Sequence, residues 1–239
     1  MMSQSPERAR QRVTRSGMIA AMTLVLSFAA GATDAFAFLQ LGGVFTANMT
    51  GNFVLAGLTS RPDFGEVLLG ATVAVLLFSV GTYLAFRFTR MVTISHDRDP
   101  AAPPRRLVAV LAAAVVSQLC VLGIWLTLPA SPGGFAICVL VSLSALAMAG
   151  QTVVARRIEN RAGVTTTFVT GTLTSLMQSL ADGVHDHHLI RVAAILMLVA
   201  GALAGSLLAG VDPALGAAFP LVPSIAGLAI LATTPSAES

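Results

Sequence analysis

The sequence predicts an all-α, polytopic integral membrane protein. We expect six transmembrane helices arranged as two inverted three-helix repeats, with discontinuous segments after helices 1 and 4. Two observations predict this class. Charged residues make up only 10% of the 239 residues and hydrophobic residues 55%, whereas ordinary soluble domains contain about 25% charged residues. In addition, Gly43-Val44 and Thr50-Gly51 recur as Gly163-Val164 and Thr170-Gly171 at one offset of 120 residues. Internal repeats are typical of secondary transporters.

The uncharged runs are long enough for six spans, because a membrane-spanning helix needs about 20 apolar residues. We expect the spans near residues 17–39, 67–87, 107–128, 133–154, 190–210 and 213–232. Pro220 and Pro223 predict a kink in the last span, since each removes a backbone donor. The whole chain, residues 1–239, then forms a single membrane domain. It holds repeat one (about 17–128), repeat two (about 133–232) and flexible tails at 1–16 and 235–239.

Two further uncharged stretches, residues 43–60 and 162–181, are rich in Gly and Thr and occupy matching places in the two halves. They could be broken or re-entrant pieces beside six spans, or complete spans in a total of eight. Positive residues favour the cytoplasmic side, and only the six-span arrangement keeps the Arg-rich loop 88–106 there. Six spans place both termini in the cytoplasm. Three spans per repeat give the two repeats opposite orientations.

Polar motifs lie in corresponding regions of the two halves. The first half contains Gly31-Ala-Thr-Asp34-Ala and then Phe45-Thr-Ala-Asn48-Met-Thr50-Gly51-Asn52, and the second contains Thr167-Phe-Val-Thr170-Gly171. With these motifs the chain resembles the YoaK family of bacterial membrane proteins, a family of unknown function. The resemblance extends over nearly the whole chain, although Gln151-Thr152 stands where relatives often have Gln-Asn. It implies a six-span, multi-pass protein of the bacterial plasma (inner) membrane and no particular substrate.

Asp34 is the one acidic residue well inside an apolar segment. A carboxylate at the centre of a membrane helix costs about 2.5–3.5 kcal/mol on insertion scales. Such a residue normally faces a cavity, pairs with a cation or takes up a proton. The functional interpretation is an ion- or proton-coupling site. The structural interpretation is a hydrogen-bond partner for a nearby Thr or for exposed backbone. Asp34 lies late in the first helix, nearer its outer end than the midplane.

The polar motifs supply the other candidate residues for solute or ion binding. Amide and hydroxyl side chains beside glycine suit a broken helix whose free backbone groups contact a ligand. The alternative is close helix packing by small residues. The candidates are Asp34, Thr46, Asn48, Thr50, Gly51, Asn52, Gln151, Thr166, Thr167, Thr170, Gly171 and Thr172.

Three glycines are predicted to lie at helix–helix contacts. Gly201 and Gly205 form a GxxxG pattern in the fifth span, and Gly81 lies at the position equivalent to Gly201 in the second span. Such patterns let two helices approach closely. The GxxxG pair also makes a homodimer an open alternative.

Other classes of function have little support in the sequence. The basic residues are all Arg and flank apolar runs, as topology signals do, so we expect no nucleic-acid partner. His185, His187 and His188 fall in a short polar stretch that we interpret as a solvated loop, so we expect no metal site and no cofactor. Catalysis needs several positioned groups, and no such constellation accompanies Asp34. We therefore expect a protein that is not an enzyme.

Two functions remain open at this point. The leading hypothesis is a small-solute secondary transporter, with proton coupling through Asp34 as one version of it. The alternative is a membrane protein that does not transport and instead binds a lipid or a partner protein. The expected partners are therefore the lipid bilayer and a small solute of unknown identity.

Overall fold

The computed structural model describes residues 6–90, 105–129, 132–162, 169–183 and 188–233. The helices of these residues are α1 (Pro6–Gln40), α2 (Met49–Gly57), α3 (Phe64–Phe88), α4 (Arg105–Trp125), α5 (Gly134–Ala162), α6 (Val169–Ala181), α7 (His188–Val211), α8 (Pro213–Ala218) and α9 (Leu221–Ala232). The described part of the chain is otherwise turns and irregular backbone, with no β-strand.

Six stretches of these helices are long and apolar enough to cross a membrane: Ala20–Gln40, Phe64–Phe88, Arg105–Trp125, Gly134–Ile158, His188–Val211 and Pro213–Ala232. The predicted number of spans is confirmed, and each predicted span overlaps one of them. The two stretches that eight spans would have required contain the short helices α2 and α6. At 1.5 Å per residue these helices are only about 14 and 20 Å long, too short to cross a bilayer core of about 30 Å.

The described N-terminal residues differ from the prediction, and the tail predicted at 235–239 lies outside the described residues. Helix α1 already begins at Pro6, so residues 6–16 are helical backbone where we expected a flexible tail. Many of these residues favour helix and continue directly into the first span. The last span is interrupted at Pro220, one of the two prolines expected to kink it, whereas Pro223 lies within α9. Helix α8 ends at Ala218 and α9 begins at Leu221, with Pro220 as its N-cap.

The most extensive helix contacts are those of α1 with α7 and of α3 with α5. Glycines make both contacts close. A Cβ atom at Gly201 would collide with the carbonyl oxygen of Phe28 on α1, and one at Gly205 would lie 3.0 Å from the backbone of Ala32. A Cβ at Gly81 on α3 would lie 2.9 Å from the Leu146 side chain on α5. The GxxxG pair is thus occupied within the chain, which removes it as a reason to expect a homodimer.

The largest buried cluster joins the end of α1 and the following loop to α3, α4 and α5. It includes Phe36, Leu41, Val44, Val67 and Leu140, and the Trp125 ring packs edge-on against Phe36 at 5.3 Å between ring centroids. Leu41 and Val44 are fully buried although they lie in irregular backbone. The loop after α1 is therefore part of the core, and the core fixes its position.

Candidate functional site

The candidate site begins where α1 ends. The helix stops at Gln40, and Gly42 and Gly43 follow with φ of 85° and 72°. This left-handed region is open to glycine at little cost and is unfavourable for most other residues. The two glycines turn the chain back along the end of α1. We refer to residues 41–48, between α1 and α2, as the 41–48 loop.

The Asp34 carboxylate holds the 41–48 loop against α1. Its Oδ1 accepts hydrogen bonds from the backbone N–H groups of Thr46 at 2.8 Å and Ala47 at 2.7 Å, and its Oδ2 accepts one from Asn48 at 3.0 Å. Non-helical backbone at membrane depth needs such partners, because lipid offers none. A carboxylate is the side chain best suited to three converging donors, since it is acceptor-only and charged.

Asn52 holds the same loop from the other side. Its Oδ1 accepts from the N–H of Phe45 at 2.9 Å, and its Nδ2 donates to the carbonyl of Phe45 at 2.6 Å. The side chain is fully buried. Asn48 caps α2, because its Oδ1 accepts from the N–H of Gly51 at 3.4 Å. The two asparagines of the motif therefore satisfy backbone groups of the loop and of the short helix.

Gly51 leaves room for an aromatic ring. A Cβ atom at this position would lie 2.7 Å from the ring of Phe45, and that ring is stacked on Phe38 with centroids 5.0 Å apart. Thr46 is fully buried. Five of the predicted residues, Asp34, Thr46, Asn48, Gly51 and Asn52, thus come together around one loop.

A charged pair lies beside this loop. A Cβ atom at Gly43 would lie 3.7 Å from Arg61 Nη2, and Arg61 forms a salt bridge with Asp63 at 2.8 Å between Nη2 and Oδ2. The bridge lowers the pKa of the Asp63 carboxyl, chiefly through the hydrogen bond from Arg61. Arg61 is half-exposed and Asp63 is exposed, so the pair marks the rim of the site and not its interior.

The other predicted residues lie elsewhere or outside the described residues. Thr50 is exposed on α2, and Thr170 and Gly171 are exposed on α6, whereas Thr172 is buried there. Thr166 and Thr167 lie outside the described residues, as do Gly163 and the histidines 185 and 187. The structure therefore brings together the first motif and leaves its counterpart incompletely described.

Gln151 belongs to a different group of residues, inside the helix bundle. Its Nε2 donates to Ser224 Oγ on α9 at 2.7 Å. A similar pair links Gln118 Nε2 on α4 to Thr33 Oγ1 on α1 at 3.5 Å. Sequence reasoning missed Gln118, Thr33 and Ser224. Each of these residues is a polar side chain in an apolar span, and that was the only indication in the sequence. A single amide or hydroxyl group is common in such spans, so it did not single out these positions.

Comparisons with known proteins identify the family of the chain. The family model described as "Protein of unknown function (DUF1275)" matches residues 22–233. The chain belongs to this family. The UPF0700 transmembrane protein YoaK of Bacillus subtilis (strain 168) is 30% identical over 158 residues, which cover 66% of this chain and 65% of that protein. No solved structure matches the chain.

Membership of the DUF1275 family confirms the predicted YoaK-like resemblance. Together with the six apolar helices, it identifies the chain as a multi-pass membrane protein. The family description names no activity or substrate, and the matched part spans less than two thirds of the curated relative. Any function for this DUF1275 member must therefore be argued from the site itself.

Proposed function

We propose that this DUF1275 protein is a small-solute secondary transporter in the bacterial inner membrane, not an enzyme, and that proton uptake at Asp34 opens the site. The observation that carries the proposal is the set of three hydrogen bonds between the Asp34 carboxylate and the 41–48 loop. A charged group inside a span, holding irregular backbone, is a feature that costs energy and is usually functional.

The arrangement of helices supports two inverted repeats, a common basis of alternating access. Helix α1, the first span of the first half, packs on α7, the second span of the other half. Helix α5, the first span of the second half, packs on α3 in the same way. The glycine contacts correspond as well. Gly201 on α7 packs against Phe28 on α1, and Gly81 on α3 packs against Leu146 and Ala149 on α5. The residue 120 positions after Phe28 is Met148, which lies between Leu146 and Ala149. The two glycine contacts therefore lie at corresponding positions of the two halves.

We assign Asp34 the role of a latch, on the side of the bundle that the proposed topology makes the outer side. Asp34 lies six residues before the end of the Ala20–Gln40 span and four residues past its middle, or about 9 Å from the end and about 6 Å from the middle at 1.5 Å per residue. It is therefore closer to the middle of the span than the sequence indicated. The ionised carboxylate accepts three hydrogen bonds and holds the loop closed. Protonation removes the charge and one acceptor site, so the bonds to the loop weaken. Loop release then coincides with uptake of one proton.

Proteoliposomes test the coupling directly. The purified protein is reconstituted with the pH-sensitive dye pyranine inside, and a panel of cationic, neutral and anionic solutes is added in turn. We expect one solute class to move protons in step with its own uptake. Asp34→Asn should abolish this proton movement, because an amide side chain cannot take up and release the proton.

Asp63→Asn is the matched control, since Asp63 is an exposed acidic residue beside the same loop. This variant should transport like the unmodified protein. Uptake without proton movement would contradict coupling, and the absence of uptake for every solute would contradict transport itself. Coupled uptake that survives in Asp34→Asn would remove Asp34 from the mechanism.

The second candidate is a membrane protein that binds a lipid or a partner protein without transport. One observation favours it: Asp34, Asn48 and Asn52 are engaged with the backbone of their own chain, so the first motif is complete without a ligand. A lipid or protein recovered in a fixed ratio with the purified chain, together with no solute uptake, would support this candidate.

A further inference from the structure

Two glutamine side chains are buried within the membrane-spanning bundle. Gln118 on α4 is 5% exposed and Gln151 on α5 is 4% exposed. Each has a hydrogen bond through Nε2, but in neither does the Oε1 atom have a hydrogen-bond partner among the described residues. Buried polar atoms are nearly always paired, and pairing is needed most at membrane depth. Two unpaired amide oxygens therefore require an explanation.

The neighbouring hydroxyl groups fix which way each amide points. Thr33 Oγ1 donates its proton to the carbonyl of Ala29 at 2.8 Å, and Ser224 Oγ donates to the carbonyl of Pro220 at 2.8 Å. Each hydroxyl can then only accept from its glutamine, so the glutamine must present its NH₂ group. Rotation of the amide would place two acceptors against each other. The Oε1 atoms are thus directed away from the hydroxyls.

Each glutamine links the first and third spans of its own half, although Gln118 is on the third span and Gln151 on the first. The first pair joins α1 to α4, the first and third spans of one half, and the second joins α5 to α9, the first and third spans of the other. Gln118 lies about 5 Å beyond the middle of its span, and Gln151 about 8 Å beyond the middle of its own, at 1.5 Å per residue. Consecutive spans run in opposite directions, so the two amides are displaced toward opposite faces.

We infer that Gln118 and Gln151 form two subsites for a solute that carries N–H or O–H donors, one subsite nearer each membrane face. This inference rests on the proposed transport function and specifies its substrate class. An amide oxygen is an acceptor, so its ligand must supply a donor. Thr33 directly precedes Asp34, the acidic residue of the first span, and a carboxylate nearby disfavours an anion. The solute is therefore a small cation or neutral molecule rich in donors.

The test is thermal stability of the purified protein with three probes, each at the same concentration. Methylammonium is a cation with N–H donors, erythritol is neutral with O–H donors, and methanesulfonate is an anion with neither. A ligand at ten times its Kd raises Tm by about 3–5 °C in a protein of this size. We expect that rise with methylammonium or erythritol, and none with methanesulfonate. The first two probes distinguish a cationic from a neutral solute.

Gln118→Met and Gln151→Met remove the amide and keep the length of the side chain. Each should reduce the rise in Tm, and the double variant should abolish it. Ser117→Ala is the control, because the Ser117 hydroxyl lies beside Gln118 in sequence and already donates to the Leu143 carbonyl at 2.8 Å. It should leave the rise unchanged.

Three results would overturn the inference: no rise with either donor probe, an equal rise with methanesulfonate, or a rise that persists in the double variant. The absence of any rise in Tm is expected if each Oε1 atom binds only water. The measurement of Tm depends neither on transport nor on proton movement. It therefore tests the glutamine subsites separately from proton-coupled transport. Coupled uptake that is unchanged in the double variant would leave the proposed function standing and remove these subsites from it.

Discussion

At the scale of single residues, the first motif is explained by hydrogen bonds to its own backbone. Asp34 accepts from three N–H groups of the 41–48 loop, and Asn52 binds both the N–H and the carbonyl of Phe45. Each of these hydrogen bonds satisfies a polar backbone group that would have no partner in lipid. The residue types of the motif therefore follow from the need to fold irregular backbone at the end of a membrane helix.

Gly51→Ala should disturb this loop because the added Cβ would lie 2.7 Å from the Phe45 ring. Overpacking of this kind costs about 1–3 kcal/mol, so we expect a lower Tm in detergent. Gly57→Ala is the control, since nothing lies within 4 Å of a Cβ at this position of the same helix. Equal Tm values for the two variants would show that the Phe45 ring does not pack against Gly51.

The sequence identified Asp34, Asn48 and Asn52 as unusual, but it left their role open between ligand binding and structure. The reason is physical. The partners of these side chains are backbone N–H and carbonyl groups, which every residue carries, so no spacing of residue types reveals them. Gln118 was missed for a related reason, because its partner Thr33 is distant in sequence and neither residue belongs to a repeated pattern.

At the scale of elements, the closest contact is that between α1 and α7. Gly31 is the glycine of α1 in this contact, because a Cβ there would collide with the carbonyl oxygen of Leu198. On α7, a Cβ at Gly201 would collide with the carbonyl oxygen of Phe28, and one at Gly205 would lie 3.0 Å from the backbone of Ala32. Small residues on both helices let the two backbones approach closely, and van der Waals packing then holds helices together where the hydrophobic effect cannot.

Gly201→Ala should therefore force α1 and α7 apart. We expect a fall in stability of about 1–3 kcal/mol, the usual cost of overpacking, measured as a lower Tm in detergent. Gly210→Ala is the matched control on α7, because a Cβ there meets nothing within 4 Å. It should gain about 0.5–1 kcal/mol from better helix propensity. A Gly201→Ala variant as stable as Gly210→Ala would contradict this packing.

The elements themselves were largely predictable. Apolar length sets a span, and charged or Pro-containing segments end it, so all six spans were found. The break between α8 and α9 followed from Pro220. The helical backbone of residues 6–16 was not expected, because a polar, Arg-rich segment carries no apolar length signal even where its residues favour helix.

At the scale of the whole molecule, the proposed inverted repeats have a consequence for orientation. The loop between α2 and α3 should face the outside, and the Arg-containing segment between α3 and α4 should face the cytoplasm, the side that positive residues favour. Single cysteines at Asp63→Cys and His96→Cys, in a chain with Cys120 and Cys138 replaced by Ala, test this. A membrane-impermeant maleimide should label the first in intact cells and the second only after permeabilisation. Labelling of both from one side would exclude the proposed topology.

Hydrogen exchange of the backbone shows most directly whether the Asp34 carboxylate holds the 41–48 loop. Hydrogen–deuterium exchange of a peptide covering residues 45–48 should be slow in the unmodified protein. In Asp34→Asn it should be about 10-fold faster or more, because a charge-assisted hydrogen bond is worth about 1.5–3 kcal/mol. Asp63→Asn should leave exchange unchanged. Equal exchange rates in Asp34→Asn and the unmodified protein would show that the carboxylate does not hold the loop. This result would contradict the proposed role of Asp34 as a latch.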